Sequence, residues 1–389
     1  MQFFKYKPVR LIELFAGIGS QAKALKNLDI DFEHWYVCEF DDHAVRSYNA
    51  VHKTDFTRAD IREITAANLN ITDTEHFTYL LTYSFPCQDL SNAGKGAGMA
   101  KGDGTRSGLL WEVERLLNEC AELPQVLLME NVPQVHSGKN EEHFDKWIEF
   151  LETKGYSNYW KDLNLKDYGV PQNRNRCFMV SILGEYTFEF PDPVPLEKRL
   201  RDVMEQKVEE KYYLDGKYES ILKVNDNYSL LCGGIIGKMH DMSRRVYSSD
   251  YIAPSLHTCG GGNLEPKVFE PRVVGGIGEK KSNGGRQWYQ QDRIYDDGIA
   301  ISVTTAFNPY YVDTNEGRPR KLIPKECWRL MGFDDEDFLK AEKVCSNTQL
   351  YKQAGNSIGV PVLMAIFKKL FSPRKARSQW LDELLRGVS

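Results

Sequence analysis

The 389-residue chain has no C-x-x-C pair among its cysteines, no run approaching eighteen consecutive apolar residues, and no excess of basic over acidic side chains. Each absence closes off a class. The eight cysteines (Cys38, Cys87, Cys120, Cys177, Cys232, Cys259, Cys327 and Cys345) lack the spacing of a zinc ribbon or a small disulfide scaffold, so reduced thiols and no metal site are expected. Without a long apolar run no membrane span is expected. Residues 1–10 are aromatic and basic but lack the apolar core of a secretory signal, so a cytoplasmic location is expected. The net charge of −5 argues against a surface coated in basic charge. It leaves nucleic acid open, because a local patch binds where the average is negative. Residues 196–325 hold 20 Lys and Arg against 18 Asp and Glu, about +2, which leaves about −7 for the rest. What is present is a globular composition, 41% hydrophobic and 27% charged, over a length that suits two domains.

Apolar and β-branched runs predict strands at residues 9–15, 35–39, 77–83, 125–129 and 177–183, with helices at 21–28, 42–51, 109–117 and 144–151 between them. Such alternation predicts an α/β fold, a doubly wound and mostly parallel sheet of the Rossmann-like kind. Pro191, Pro193 and Pro195 mark a boundary. Residues 196–320 are rich in Gly, Tyr and short apolar runs, with no helical period after about 212, and predict a smaller domain of strands and loops. Helical signals return at 324–331 and 360–371, so residues 321–389 are expected to rejoin the first domain, residues 1–195. Residues 234–258 and 276–305 share a weak echo, Gly-Ile, a polar stretch, Arg-Val/Ile-Tyr, then Ile-Ala-x-Ser-x-x-Thr. It is either two hairpins of similar composition or a duplicated recognition unit.

Phe15-Ala-Gly-Ile-Gly-Ser-Gln-Ala22 has the G-x-G-x-x-A form between a strand and a helix. Gly17 permits the tight turn, and Gly19 lets a ligand approach the backbone. Glu39 lies twenty residues beyond Gly19 at the next strand's end, where a carboxylate can hold both ribose hydroxyls. Asp60, followed by Ile61, can reach an adenine amino group. These residues point to a nucleoside-bearing cofactor, and both a dinucleotide and S-adenosylmethionine fit them.

Ser84-Phe-Pro-Cys-Gln-Asp-Leu-Ser91 follows the third strand and exposes the Cys87 thiol over the carboxyl end of the sheet. Gly94, Gly96, Gly98, Gly102, Gly104 and Gly108 follow, a loop too glycine-rich for a core and suited to a lid. Glu130-Asn131-Val132 closes the next apolar strand, aiming a carboxylate at the same crevice. Arg174 and Arg176 alternate by two, which puts both on one side of an extended segment.

In these residues and in their order the chain resembles the bacterial and phage DNA (cytosine-5)-methyltransferases. The match runs through Phe15–Gly19, Glu39, Asp60, Pro86-Cys87-Gln88, Glu130-Asn131-Val132, Gln172-x-Arg174-x-Arg176, residues 320–332 and Gln353-Ala-Gly-Asn-Ser-Ile358. Around residues 83–91 and 105–115 it looks most like mycoplasma-type CpG members; the internal echo has no counterpart in the family pattern. The resemblance implies an S-adenosylmethionine-dependent enzyme, leaving S-adenosylhomocysteine as product, with a target-recognition domain at 196–320. It implies Cys87 as nucleophile at cytosine C6, a protonated Glu130 on N3 and the exocyclic amine, and Arg174 and Arg176 on O2. It further implies Phe15, Gly17, Gly19, Glu39, Phe40, Asp60, Ile61, Pro86, Asn356 and Ser357 around the cofactor. The chemistry requires a base flipped from double-stranded DNA. Candidates to touch that DNA are Gln88, Ser91, Arg244, Arg245, Arg286, Arg293, Thr304 and Thr305. A monomer is expected, with no physical need for a partner restriction endonuclease. The rivals are an RNA cytosine methyltransferase, a non-catalytic DNA-binding protein on the same fold, and an NAD oxidoreductase supported only by the glycine turn.

Overall fold

The computed structural model describes residues 7–87, 90, 98–102, 105–213, 222–224, 230–233, 246–248, 252–256, 258, 266–270, 273–276, 293–295, 318–371 and 373. Strands β1 (Val9–Leu14), β2 (Phe32–Cys38), β3 (Thr78–Tyr83), β4 (Val126–Asn131) and β5 (Tyr156–Asn164) are followed by a two-residue strand β6 (Gln172–Asn173) and by β7 (Asn175–Leu183). All but β6 join one sheet, ordered β2-β1-β3-β4-β7-β5. β1 is parallel to β2 and β3, and β3 to β4, whereas β7 is antiparallel to β4 and β5. The chain leaves β1 toward β2 on one side and returns to β3 on the other. The strand order therefore reverses between β1 and β3, and a crevice opens at their carboxyl ends.

Both sheet faces are covered, which is why the strands read as continuous apolar runs. Leu11, Leu80, Leu128 and Val180 face one core, and Ile12, Leu81, Leu127 and Met179 face the other. The first core takes helix α1 (Ser20–Asn27). The second takes α4 (Leu110–Glu119) and α5 (Glu141–Thr153), while α2 (Asp42–His52) and the one-turn α3 (Ala66–Leu69) lie between β2 and β3 in sequence. In α4, buried Leu110, Val113, Leu116 and Leu117 form one stripe at helical spacing.

The C-terminal segment supplies α6 (Pro324–Arg329), α7 (Asp335–Glu342), α8 (Asn347–Asn356) and α9 (Val360–Leu370), whose buried residues join the α1 core. α9 packs directly on α1. The buried Arg320–Glu326 ion pair, 2.8 Å, pins the entry to this segment, and Glu326 also accepts from the Ile323 and Glu205 amides. β5 and α8 are elements the residue pattern did not predict. β5 is a half-exposed edge strand, and α8 (NTQLYKQAGN) is too polar to show a clear apolar stripe.

Between these parts, β8 (Leu222–Val224), β9 (Leu230–Gly233), β10 (Val246–Ser248), β12 (Lys267–Glu270) and β15 (Arg318–Lys321) form a five-stranded sheet, and β13 (Val273–Gly276) pairs with β14 (Arg293–Tyr295). The two echoed units both yield strands, but β10 lies inside the larger sheet and β14 in the separate pair. Strand β11 (Ala253–Pro254) leaves this region to run parallel to β6, with Ala253 opposite Gln172. Among the described residues, no helix is long and apolar enough to cross a membrane.

One polar network reaches from the core toward the sheet edge. Glu13, on β1, is fully buried and accepts from the Tyr48 hydroxyl at 2.5 Å. His34 Nδ1 lies 2.8 Å from the same hydroxyl oxygen. Burial pushes the Glu13 carboxyl up to about 7, against hydrogen bonds from Tyr48 and from the Ala22 amide in the first turn of α1. A carboxyl raised in this way favours folding while protonated. Its contribution is complete below about pH 4.5 and is lost as pH rises through about 7. Glu13→Gln should therefore flatten the loss of stability between about pH 5 and about pH 8, a difference on the order of a few kcal/mol. Urea melts of both proteins across that window check it, and parallel pH slopes would contradict the assignment.

Candidate active site

The nucleophile loop leaves β3 with its main chain tied at two successive carbonyls. Asn131 Nδ2 donates to the Phe85 carbonyl at 2.9 Å, and Ser107 Oγ donates to the Pro86 carbonyl at 2.7 Å. Asn131 Oδ1 accepts from the Val132 amide, so this one amide side chain locks both the strand end and the loop. Cys87 follows, partly buried. Burial pushes its thiol up and the Glu130 charge adds to this, while Arg176 and Arg174 pull it down.

Glu130 ends β4 with 8% exposure. Burial raises its carboxyl above the usual range against the pull of Arg176, Arg174 and the Ser84 hydroxyl. The antiparallel register sets Glu130 opposite Phe178, so Arg176, two residues earlier on β7, shares its face. Arg176 Nε lies 3.3 Å from Glu130 Oε1. Arg174 behaves differently. It sits in the break between β6 and β7, 4% exposed, with both terminal nitrogens engaged by main-chain carbonyls. Nη1 donates to Leu256 at 3.1 Å, and Nη2 donates to Gly355 at 2.9 Å and Ser357 at 2.8 Å. The fold brings Cys87, Glu130, Arg174 and Arg176 within electrostatic reach of one another, but the two arginines have different partners.

At the β1 end, Phe15, Gly17 and Gly19 all have positive φ, +60°, +57° and +80°. For Phe15 this is strain held by its surroundings, the kind that accumulates at ligand sites. A Cβ at Gly17 would point into open space, so glycine there answers to backbone conformation. Gly19 has a left-handed φ as well, and a Cβ there would lie 2.3 Å from His52 Nε2, so glycine answers both to backbone conformation and to the packing of α2. His52, whose ring burial keeps neutral, donates from Nε2 to the Ile18 carbonyl at 3.0 Å and fixes the turn.

Glu39 accepts from the Gly17 amide and the Asp41 amide, both at 2.8 Å. Its carbonyl accepts from Ala59, which sets Asp60 and Ile61 beside it. Asp60 is paired with Arg62, which holds its carboxyl below the usual range, and Ile61 is buried. Phe40 is 55% exposed, with the Arg58 guanidinium 4.0 Å from its ring centre. The last motif reaches this end through Lys352, 2.6 Å from Asp41, and Gln353, which donates to the His43 carbonyl and accepts from Ser47. Asn356 is exposed, whereas Ser357 is buried and its hydroxyl donates to Gln353.

Sequence reasoning missed Asn131 and Ser107 as loop anchors, His52 behind the turn, and Arg58 at Phe40. Only Asn131 carried a local signal, its place within the Glu-Asn-Val motif. Gln88, Ser91, Arg244, Arg245, Arg286, Thr304 and Thr305 lie outside the described residues, as do residues 91–97 and 103–104 of the glycine-rich segment; Arg293 opens β14. Among the described residues, the donor atoms of His136, Asp162 and Cys177 lie within 4.8 Å of one another. Cys177 faces the core opposite to that of Phe178, so this group sits across the sheet from Glu130 and Arg176. Its His136 and Asp162 form a hydrogen-bonded pair at 3.0 Å.

Residues 9–372 match the family model described as C-5 cytosine-specific DNA methylase. The type II methyltransferase M2.ScrFI of Lactococcus lactis subsp. cremoris is 29% identical, over 93% of this chain and 99% of its own length. The orphan methyltransferase M.SPBetaI of Bacillus phage SPbeta is 31% identical, over 93% and 97%. Among solved structures, the Entamoeba histolytica methyltransferase EhMeth superposes with a TM-score of 0.66 at 16% identity, over 94% of this chain and 98% of that one, a likeness of fold. A loop-borne cysteine and a buried glutamate at the carboxyl edge of a doubly wound sheet thus sit in a chain that belongs, over nearly its whole length, to the C-5 cytosine-specific DNA methylases.

Proposed function

We propose that this chain flips a cytosine out of double-stranded DNA and methylates it at C5. The observation that carries the reading is the convergence of Cys87, Glu130 and Arg176 at the carboxyl edge of the sheet, beside the strained glycine turn. Cytosine C5 is a weak nucleophile, and addition of the Cys87 thiolate at C6 converts the ring to an enamine that can attack from C5. Glu130, whose burial favours the protonated form, donates in that form to N3 and accepts from the exocyclic amine, which supports the addition and selects cytosine. Arg176 faces the same space and suits the ring's O2. Thiolate and proton are linked, because a neutral Glu130 removes the charge that opposes ionisation of Cys87. S-adenosylmethionine, when bound, supplies the electrophilic methyl group. Glu39 would hold its ribose, Phe40 would stack on adenine, Asp60 and Ile61 would meet the adenine edge, and Phe15, Gly17, Gly19, Pro86, Asn356 and Ser357 would line the remainder. The amino end of α1, where a dinucleotide would place its pyrophosphate, already has the Glu13 carboxylate near the Ala22 amide. Loss of the C5 proton and of the thiolate completes the reaction.

In this reading residues 1–195 and 321–389 carry the chemistry, and 196–320 read the DNA as a monomer in the cytoplasm, with no partner endonuclease required. Bisulfite sequencing of DNA from a host expressing the protein should reveal one methylated context. Methyl transfer to transfer RNA but not to duplex DNA would overturn the reading. Cys87→Ala should retain cofactor binding and lose methylation completely, and a duplex carrying 5-fluorocytosine in the methylated context should trap a covalent adduct with the wild type alone. Glu130→Gln should lower the methylation rate by roughly 10²- to 10⁴-fold. The same substitution removes the charge that Glu130 carries whenever it is ionised, so the apparent pKa of Cys87 alkylation by iodoacetamide should fall. A rise would show that Glu130 does not oppose the thiolate.

A further inference from the structure

The Arg174 side chain binds two parts of the chain that lie far apart in sequence. On one side it holds the Leu256 carbonyl, just beyond strand β11, with the Ser255 hydroxyl 3.4 Å from the same nitrogen. Strand β11 is seated there by the Ala253 amide on the Pro171 carbonyl at 2.7 Å and by the Leu256 amide on Gln172 Oε1 at 3.2 Å. On the other side Arg174 holds the Gly355 and Ser357 carbonyls. The next residue, Ile358, donates its amide to Ser20 Oγ at 3.3 Å, and Ser20 opens α1 directly after Gly19. A continuous set of polar contacts thus runs from β11 through Arg174 to the glycine turn.

Burying a guanidinium is costly, and an apolar side chain would fill this space without that cost. What only arginine supplies is a planar fork whose donors keep a fixed mutual geometry. A shift of residues 355–357 must therefore either carry β11 with it or leave a buried donor unpaired.

We propose that Arg174 is a positioning residue that couples the seating of β11, and so of the segment that reads DNA, to occupancy of the cofactor turn. Arg176 alone then serves the base. The proposal rests on the assignment of the cofactor to that turn. Coupling of this kind has to appear in a ligand-dependent measurement, because contiguous contacts alone do not establish it.

The test uses the full chain and saturating S-adenosylhomocysteine, with binding followed by equilibrium dialysis and amide hydrogen exchange by mass spectrometry. In the wild type the ligand should slow exchange of the peptide spanning residues 252–256 by about five-fold or more, although it binds elsewhere. Arg174→Lys should bind the ligand but lose this protection, and Arg176→Lys should keep it. Ser20→Ala, which cuts the path at its far end, should also lose it, and this second variant decides the matter if Arg174→Lys does not fold. Unchanged exchange in the liganded wild type overturns the proposal, as does full protection in a folded Arg174→Lys or in Ser20→Ala. Failure of the wild type to bind the ligand removes the reading of the site itself, and the proposal with it. Normal binding without transmitted protection leaves the methyltransferase reading standing.

Discussion

Exclusion of water at the carboxyl edge of the central sheet governs the chemistry available there, and it acts on the two central acids in opposite senses. In the proposed reaction Glu130 benefits, since a carboxyl that is to donate a hydrogen bond to N3 must be protonated near neutral pH, and burial raises it toward that state. Cys87 is harmed, since the same burial disfavours its thiolate. The guanidinium groups of Arg176 and Arg174 reconcile the two in part. They favour the thiolate while only partly offsetting the desolvation of Glu130. In the proposed reaction a proton on Glu130 favours the Cys87 thiolate, because it removes an opposing charge.

Such a site works only if its main chain does not relax around it, and the fold meets this demand with carbonyls rather than with side-chain packing. Phe85 and Pro86, the two residues before Cys87, have their carbonyls held from β4 and from the turn after the glycine-rich segment. The antiparallel register of β4 and β7 fixes Arg176 against Glu130 without any loop. Both devices are preorganisation, in which geometry is set during folding and not during reaction. The strain at Phe15 has the same origin, because a non-glycine residue stays at φ +60° only where its neighbours over-determine it.

Much of this was legible in the residues themselves. The glycine turn, Pro86-Cys87-Gln88 and Glu130-Asn131-Val132 are short and local, and each follows a strand whose apolar run is unmistakable. The alternation of strands and helices was enough to place them at one end of one sheet. The differing partners of Arg174 and Arg176 were not legible. Their spacing puts both on one side of an extended strand, but the chain breaks at Arg174 between β6 and β7, and its partners lie 82 to 183 residues away. A second demand on Gly19 was not legible for the same reason, since the side chain that excludes a Cβ there, His52, comes from a separate helix. β5 and α8 stayed hidden because their burial is decided by tertiary neighbours and not by a periodic apolar face.

The glycine turn by itself admits two cofactor classes, and the choice depends on what the amino end of α1 holds. Backbone amides in a first helical turn favour an anion, and a dinucleotide fold gives that position to a pyrophosphate. Here the protein's own Glu13 reaches toward the Ala22 amide from inside the core, braced by Tyr48 and by a neutral His34. Glu13 thus takes, from the core side, one of the first-turn amides that a pyrophosphate would use. A ligand without phosphate makes no demand on that amide. The buried acid therefore anchors the strand that carries the turn to the helix that leaves it, through an amide that a pyrophosphate would otherwise need.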